Sequence, residues 1–317
     1  MTFYPPALIL TDVSNAEIAV LYQDHHQLIV NKPAGLVIHP TYKHADGTMW
    51  DALLAYAQQQ GQDDWQPPVL PDEPEWLAAP PEVQEMLRQR RTAQLWKEEG
   101  LLSRPCLLHR LDKDTSGIVA LARTERARRH LVRQFHEHTI VKRYLAVVQR
   151  GANAWSRPRA PFTVTRRLED GQVQTLILPA ADELTLAMHD ELLLDGPLQR
   201  DPADRRRCIV GPDGQAAATS VRVLALKQDY ALLDVRPVTG RTHQIRAHLA
   251  TLGYAIVGDQ TYAPPTETSL SRQFLHASSL TFRRYPDNTE VTLVAPLAED
   301  LVAWLRYTAP ELLAVCP

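Results

Sequence analysis

Apolar and polar positions alternate in short blocks along the chain, and two periods can be read from them. IAVLY (18–22) and QLIV (27–30), joined by QDHH, predict a β-hairpin. NKPAG (31–35) then turns into LVIHP. Residues 61–82, rich in Pro, Asp and Glu, read as an inserted loop, and 82–99 as a helix of mixed charge. After a polar turn, 118–122 form an unbroken apolar strand. Thr124 is placed to cap a helix running to about Glu137, with Ala127, Leu131 and Phe135 at i, i+4 and i+8 as its buried stripe. KRYLAVV (142–148) is a strand.

Further on, TVTRRLEDGQVQTLILP and CIVGPDGQAAATSVRVLAL each carry an Asp-Gly step that reads as a hairpin turn. YALLDVRPVTG (230–240) is a strand. THQIRAHLATLG (242–253) is a short helix, with Thr242 as cap, Ile245, Leu249 and Leu252 inward and Gly253 as stop. HASSLTFRRY and EVTLVAP are strands, and AEDLVAWLRY (298–307) is a closing helix. No internal repeat is evident. Strands outnumber helices and mostly follow one another, which predicts an α+β fold on a mixed, largely antiparallel sheet flanked by helices.

Composition narrows the class. The 317 residues, 44% hydrophobic and 22% charged, suffice for a substantial core. Cys106, Cys208 and Cys316 are scattered, with no CxxC pair, which argues against a disulfide framework or zinc site and fits a reducing cytoplasm. The start, MTFYPPALIL, lacks the basic and long apolar regions of a signal peptide, and no apolar run approaches the ~20 residues of a membrane span. Net charge is −3, yet its distribution is uneven. Residues 61–100 hold nine Asp and Glu against four Lys and Arg, whereas 101–150 hold eleven Lys and Arg against four Asp and Glu. The second block could bind a polyanion that the average charge conceals. Two solvated surfaces would give the same numbers.

Chemistry is densest inside that basic block. One turn, 109–116, holds His109, Arg110, Asp112, Lys113, Asp114, Thr115 and Ser116 and then enters the apolar strand. Asp112 would sit at a sheet end, where a carboxylate can project into a cleft as nucleophile or general base; the plainer reading is an Asx-turn residue. Arg110 and Lys113 favour its anionic form. Asp112 and Asp114 together also resemble the DxDxT turn of haloacid-dehalogenase-type phosphatases, which use Mg²⁺. A second group, Arg241, Thr242, His243 and Gln244, opens the helix at 242, where backbone N–H groups favour anions. Arg246, one turn in, could fork onto a carboxylate. His243 and His248, five apart, share a helical face poorly, so no metal pair is expected. Tyr144 lies on one strand face, and Lys142 and Arg143 suggest a phosphate-facing strand end. Lys32 in NKPAG would be unremarkable alone.

Taken together, NKPAGLVIHP, HRLDKDTSGIVALART, KRYLAVV, GPLQRDPADRRR (196–207), GQAAATSVRVL (214–224), TGRTHQIRAHLATLGYAIVGDQTY (239–262) and FLHASSLTF (274–282) resemble the RluA-type RNA pseudouridine synthases, in that family's order. The resemblance implies the pseudouridine synthase catalytic fold as one domain over 1–317, with RNA as partner and uridine in ribosomal or transfer RNA as substrate. It implies Asp112 as the essential carboxylate, Tyr144 as base platform and candidate for removing the C5 proton, and Arg246 as the partner of Asp112. Arg110 would help extrude the base. Lys32, His109, Thr115, Arg241, Thr242, His243 and Gln244 would contact RNA. No metal, cofactor or membrane is implied, and a monomer is expected. The first motif begins near residue 28, leaving no room for a separate N-terminal RNA-binding domain, so the Arg-rich helix 124–137 is expected to grip RNA. The acidic stretch 61–104, longer than the family's core requires, is expected to form a flap beside the cleft. A non-catalytic RNA-binding protein is the third reading; it would have no reason to keep Asp112, Tyr144 and Arg246 together.

Overall fold

The structure, a computed structural model, describes residues 9–11, 17–40, 45–59, 66, 71–150, 158–168, 170–178, 184–263 and 270–316. In chain order its elements are β1 (Ile9–Thr11), β2 (Glu17–Gln23), β3 (Gln27–Lys32), α1 (Met49–Gln59), α2 (Pro81–Glu99), β4 (Leu101–Leu107), β5 (Ser116–Thr124), α3 (Glu125–His136), β6 (Val141–Arg150), β7 (Phe162–Arg167) and β8 (Val173–Leu178). There follow β9 (Glu191–Asp195), β10 (Leu198–Arg200), β11 (Cys208–Val210), β12 (Ala218–Lys227), β13 (Tyr230–Pro237), α4 (Gln244–Thr251), β14 (Tyr254–Ile256), β15 (Leu275–Arg283), β16 (Glu290–Val294), α5 (Glu299–Thr308) and α6 (Pro310–Leu313). Fourteen strands form one sheet in the order β1-β2-β3-β5-β15-β6-β13-β12-β9-β7-β8, with β4 on β5, β16 on β15 and β14 on β6. Among the described residues, β5 with β15 is the parallel pair in an otherwise antiparallel sheet. The α+β fold read from the sequence is therefore the one observed.

The apolar run 118–122 is unbroken because β5 is covered on both faces. Val119 and Leu121 pack in the cluster that contains Met49, Leu53 and Tyr56 of α1. Ile118, Ala120 and Ala122 pack with Ala127 and Leu131 of α3. Each fully buried Val, Ile or Leu contributes roughly 1.5–3 kcal/mol, so this strand anchors the sheet. Its start is set by Gly117, with φ +116°, where an added Cβ would lie 2.2 Å from the Ala277 carbonyl oxygen. Only glycine lets β5 approach β15 this closely.

Thr124 caps α3 as its position suggests, its Oγ1 accepting the Ala127 N–H at 3.4 Å. Helix α1 carries Met49, Ala52, Leu53 and Tyr56 inward at i, i+3, i+4 and i+7, a pattern to which the sequence reading gave no element. The Asp170-Gly171 step joins the expected hairpin of β7 and β8. The Asp213-Gly214 step does not: β11 folds back on β10 instead of pairing with β12, and Gly214 lies against the Leu198 backbone. Helix α4 begins at Gln244, with His243 at its cap in the left-handed region (φ 55°), so Thr242 is not the cap. The Gln244 side chain ties down the preceding loop instead, its Oε1 taking the Arg241 N–H at 3.0 Å and the Thr239 hydroxyl at 2.6 Å. All eight residues of α4 are buried, not only an apolar stripe.

The stretch expected as an inserted loop and flap lies partly outside the described residues (61–65 and 67–70). Its described remainder includes α2, which packs along α3 through Arg126, bonded to Glu98 at 2.7 Å and Glu99 at 3.1 Å. Arg128 and Arg129 of α3 are bonded to Glu125. Three arginines expected to grip RNA are thus already paired with carboxylates. Among the described residues no helix is long and apolar enough to cross a membrane.

Candidate active site

Asp112 is positioned by a turn that is clamped from below. Lys32, fully buried, donates to the carbonyls of Pro33 at 2.8 Å, Lys113 at 2.8 Å and Thr115 at 2.9 Å. Arg272 donates to the Asp114 carbonyl at 3.1 Å and is itself forked onto Asp300 at 2.6 and 2.8 Å. Gln273 donates to the Thr115 hydroxyl at 3.2 Å, and the Thr115 N–H closes the turn on the Asp112 carbonyl at 3.2 Å. Burial lowers the Lys32 pKa to about 7. Lys32 therefore does not meet RNA as expected: it fixes the backbone of the Asp112 turn.

On the other side, Arg246 of α4 holds two carboxylates with one guanidinium. Nε and Nη2 fork onto Asp259 at 2.7 and 2.8 Å, and Nη1 donates to Asp112 Oδ2 at 2.9 Å. Asp259 also accepts the backbone N–H groups of Thr261 at 2.9 Å and Tyr262 at 3.1 Å. The Tyr262 ring lies under the guanidinium, 5.1 Å from ring centre to Cζ. Burial opposes the charge of Arg246, but the bonds to Asp259 and Asp112 outweigh it and hold the group protonated more firmly than usual. The Asp259 side chain is 0% exposed and that of Asp112 28%. One carboxylate is thus structural and the other remains open to a ligand.

That opening is a cavity of about 540 Å³, large enough for a nucleotide-sized group. Its walls carry Arg110, Lys142, Arg200, Arg241 and Arg246, and Asp112 is the one carboxylate among its described lining residues. Tyr144, nearly buried in β6, lines it too. Burial, reinforced by the Asp112 charge, raises the Tyr144 pKa, so it is a neutral phenol near pH 7. Strand alternation puts Lys142 on the same face, while Arg143 points away and pairs with Asp234. His109 lines the cavity and accepts the Ala120 N–H on Nε2 at 3.1 Å. Burial, with Lys142 nearby, lowers its pKa to about 3.

The separated sequence segments therefore meet. His109, Arg110, Asp112, Thr115, Tyr144, Arg241, Thr242, His243, Gln244 and Arg246 all line this one cavity. Their exposure differs in ways that matter. Arg110 and Arg241 are exposed, and Arg110 Nη2 lies 3.4 Å from the Thr242 hydroxyl. His243 has its Nε2 3.8 Å from Asp112, and burial lowers its pKa against the raising effect of that carboxylate. Thr115 and Gln244 are buried and spend their side chains on internal bonds. The ring nitrogens of His248 contact Thr219 and the Gly196 carbonyl. Asp114 does not line the cavity, so the two carboxylates of the phosphatase-like turn do not face one ligand. The sequence reading missed Asp259 and Tyr262. Both stood inside the quoted GYAIVGDQTY stretch, and a buried arginine with a single partner would have been the signal to look for the second.

Residues 26–251 match the family described as RNA pseudouridylate synthase. An uncharacterized RNA pseudouridine synthase of Chloroflexus aurantiacus is 36% identical over 277 residues, covering 87% of this chain and 65% of that protein. A protein of Xylella fastidiosa named ribosomal large subunit pseudouridine synthase D is 31% identical over 295 residues, covering 89% of this chain and 66% of that one. The chain thus spans just under two thirds of the length of these two relatives. Among solved structures, the human RNA pseudouridylate synthase domain containing 4 protein superimposes with a TM-score of 0.52 at 21% identity, covering 90% of this chain and 91% of that one, which shows a shared fold. Neither the phosphatase nor the non-catalytic reading gains support from any of these matches.

Proposed function

The chain belongs to the RNA pseudouridylate synthase family, enzymes that isomerise uridine to pseudouridine in RNA, and on that premise we propose that it acts on uridines of structured ribosomal RNA through Asp112. The observation that carries this reading is the placement of Asp112: a partly open carboxylate that shares the cavity wall with five Lys and Arg side chains, bonded by Arg246, in a cavity that Tyr144 also lines. The isomerisation breaks the C1′–N1 bond, forms C1′–C5, removes the C5 proton and leaves a proton on N1. Asp112 engages ribose C1′, base C6 or a ribose proton; each route needs the same carboxylate beside the same sugar. Arg246, locked by Asp259, holds that carboxylate in a fixed orientation through its Nη1 bond.

A uridine must leave its stack before any of these atoms is reachable. Tyr144 offers the flipped base a flat ring and a neutral hydroxyl that takes the C5 proton as it releases its own to solvent, while N1 takes up a proton from solvent, and Arg110 at the cavity mouth fills the vacated place. Ribosomal RNA is favoured as substrate because the relative named above acts on the large subunit by its name. On this reading residues 1–317 act as one catalytic domain, in the cytoplasm and as a monomer, without metal or cofactor. The test is tritium release from [5-³H]uridine-labelled, unmodified ribosomal RNA in excess EDTA. Wild type should release tritium and Asp112→Asn should not; equal release by both, or none by wild type, overturns the reading.

A further inference from the structure

Two donors on the cavity wall have no acceptor among the described residues. Lys142 lines the cavity, and burial lowers its pKa with no carboxylate to offset it. Its recorded contact is with the Phe135 ring, 6.0 Å from the ring centre. His109 is the second. Its Nε2 accepts the Ala120 N–H, so the neutral ring carries its proton on Nδ1, and that buried nitrogen has no partner. Gly240 lies beside Lys142: a Cβ there would stand in ordinary contact with Nζ, 3.8 Å away. The wall's one carboxylate, Asp112, is already held by Arg246.

We propose that Lys142 forms a subsite for a phosphodiester group of the RNA next to the flipped uridine. The proposal rests on the pseudouridine synthase reading. A desolvated ammonium without a counter-charge is unfavourable in the free protein, and a bound anion removes that penalty. An ammonium only donates, so the ligand must bring acceptors, and a phosphodiester brings acceptors and charge together. Lys142 and Tyr144 stand two residues apart on one strand face, ~7 Å along β6, a spacing that suits a base on Tyr144 and a backbone phosphate on Lys142.

The experiment follows kcat and KM for tritium release from in vitro transcribed, [5-³H]uridine-labelled large-subunit ribosomal RNA across a KCl series, with wild type, Lys142→Gln and Lys142→Arg. Loss of one charged contact should raise KM about tenfold or more in Lys142→Gln with kcat little changed. The slope of log(kcat/KM) against log[KCl] should become shallower by about 0.7–0.9. Lys142→Arg should restore the wild-type slope, and the thermal midpoint of Lys142→Gln should not fall. A wild-type slope in Lys142→Gln overturns the proposal, because a contact to a neutral base carbonyl leaves the slope unchanged. Equal loss of activity in both variants with lowered midpoints also overturns it, as a packing role would give. A wild type that releases no tritium fails the functional reading itself, and the proposal falls with it.

Discussion

Replacing Asp259 by Asn keeps the shape of the side chain and removes its charge. In the wild type this buried carboxylate accepts two bonds from Arg246 and two backbone N–H groups. The amide oxygen can keep the backbone donors, but the amide NH2 then faces a guanidinium that also only donates. One charge-assisted bond is lost, about 1.5–3 kcal/mol, and breaking a buried pair typically costs about 3–5 kcal/mol. With Asp112 still holding Nη1, the lower end applies, and we expect a loss of about 3 kcal/mol. Asp112 makes one bond to Arg246 and its side chain is 28% exposed, so Asp112→Asn should cost about 1 kcal/mol or less. Urea unfolding gives the stabilities and tritium release the rates. Asp259→Asn should be destabilised and slowed, because Arg246 is no longer held, whereas Asp112→Asn should be inactive and close to wild type in stability. An Asp259→Asn protein as stable as wild type, or an Asp112→Asn protein destabilised equally, would refute the division of labour between the two carboxylates.

Two further outcomes follow from the buried titrating groups. Burial brings the Lys32 pKa from 10.5 to about 7, so between these values the unfolded chain binds a proton that the folded chain does not, and this group makes the fold more stable as pH rises through that window. Urea midpoints from pH 7 to 9 should therefore rise more steeply for wild type than for Lys32→Met, and parallel curves would contradict the assignment. Tyr144→Phe keeps the ring and removes the hydroxyl; tritium release should slow by about 10²-fold with KM little changed, and an unchanged rate would leave Tyr144 as a platform alone.

Local patterns were legible wherever one strand or helix determines them. The Ala127–Leu131 stripe of α3 with its Thr124 cap, the β2–β3 hairpin and the buried strand at 118–122 follow from period and propensity, whereas Phe135, expected in the stripe, is half-buried and lines the cavity. The chemistry was legible as motifs, and residues from 109 to 246 do meet in one cavity. What the sequence hid is what depends on a distant partner. A lysine's charge shows in the sequence, but the three carbonyls that enclose Lys32 do not, two of them some 80 residues away. Thr242 has the composition of a cap, yet the chain takes a left-handed step at His243 and the helix starts one residue later than that cap would set. Asp259 sits 13 residues beyond Arg246, past a turn that no helical period reaches.

The parallel seam between β5 and β15 has a consequence for the birth of the protein. The turn carrying Asp112 is made early, but its clamp uses Arg272, Gln273 and Asp300, and its strand pairs with His276 and Ala277. At synthesis rates of about 5–20 residues per second, the turn leaves the ribosome roughly 8–30 s before its supports exist. The Asp112 turn therefore emerges unclamped, and its supports arrive only with the C-terminal strands.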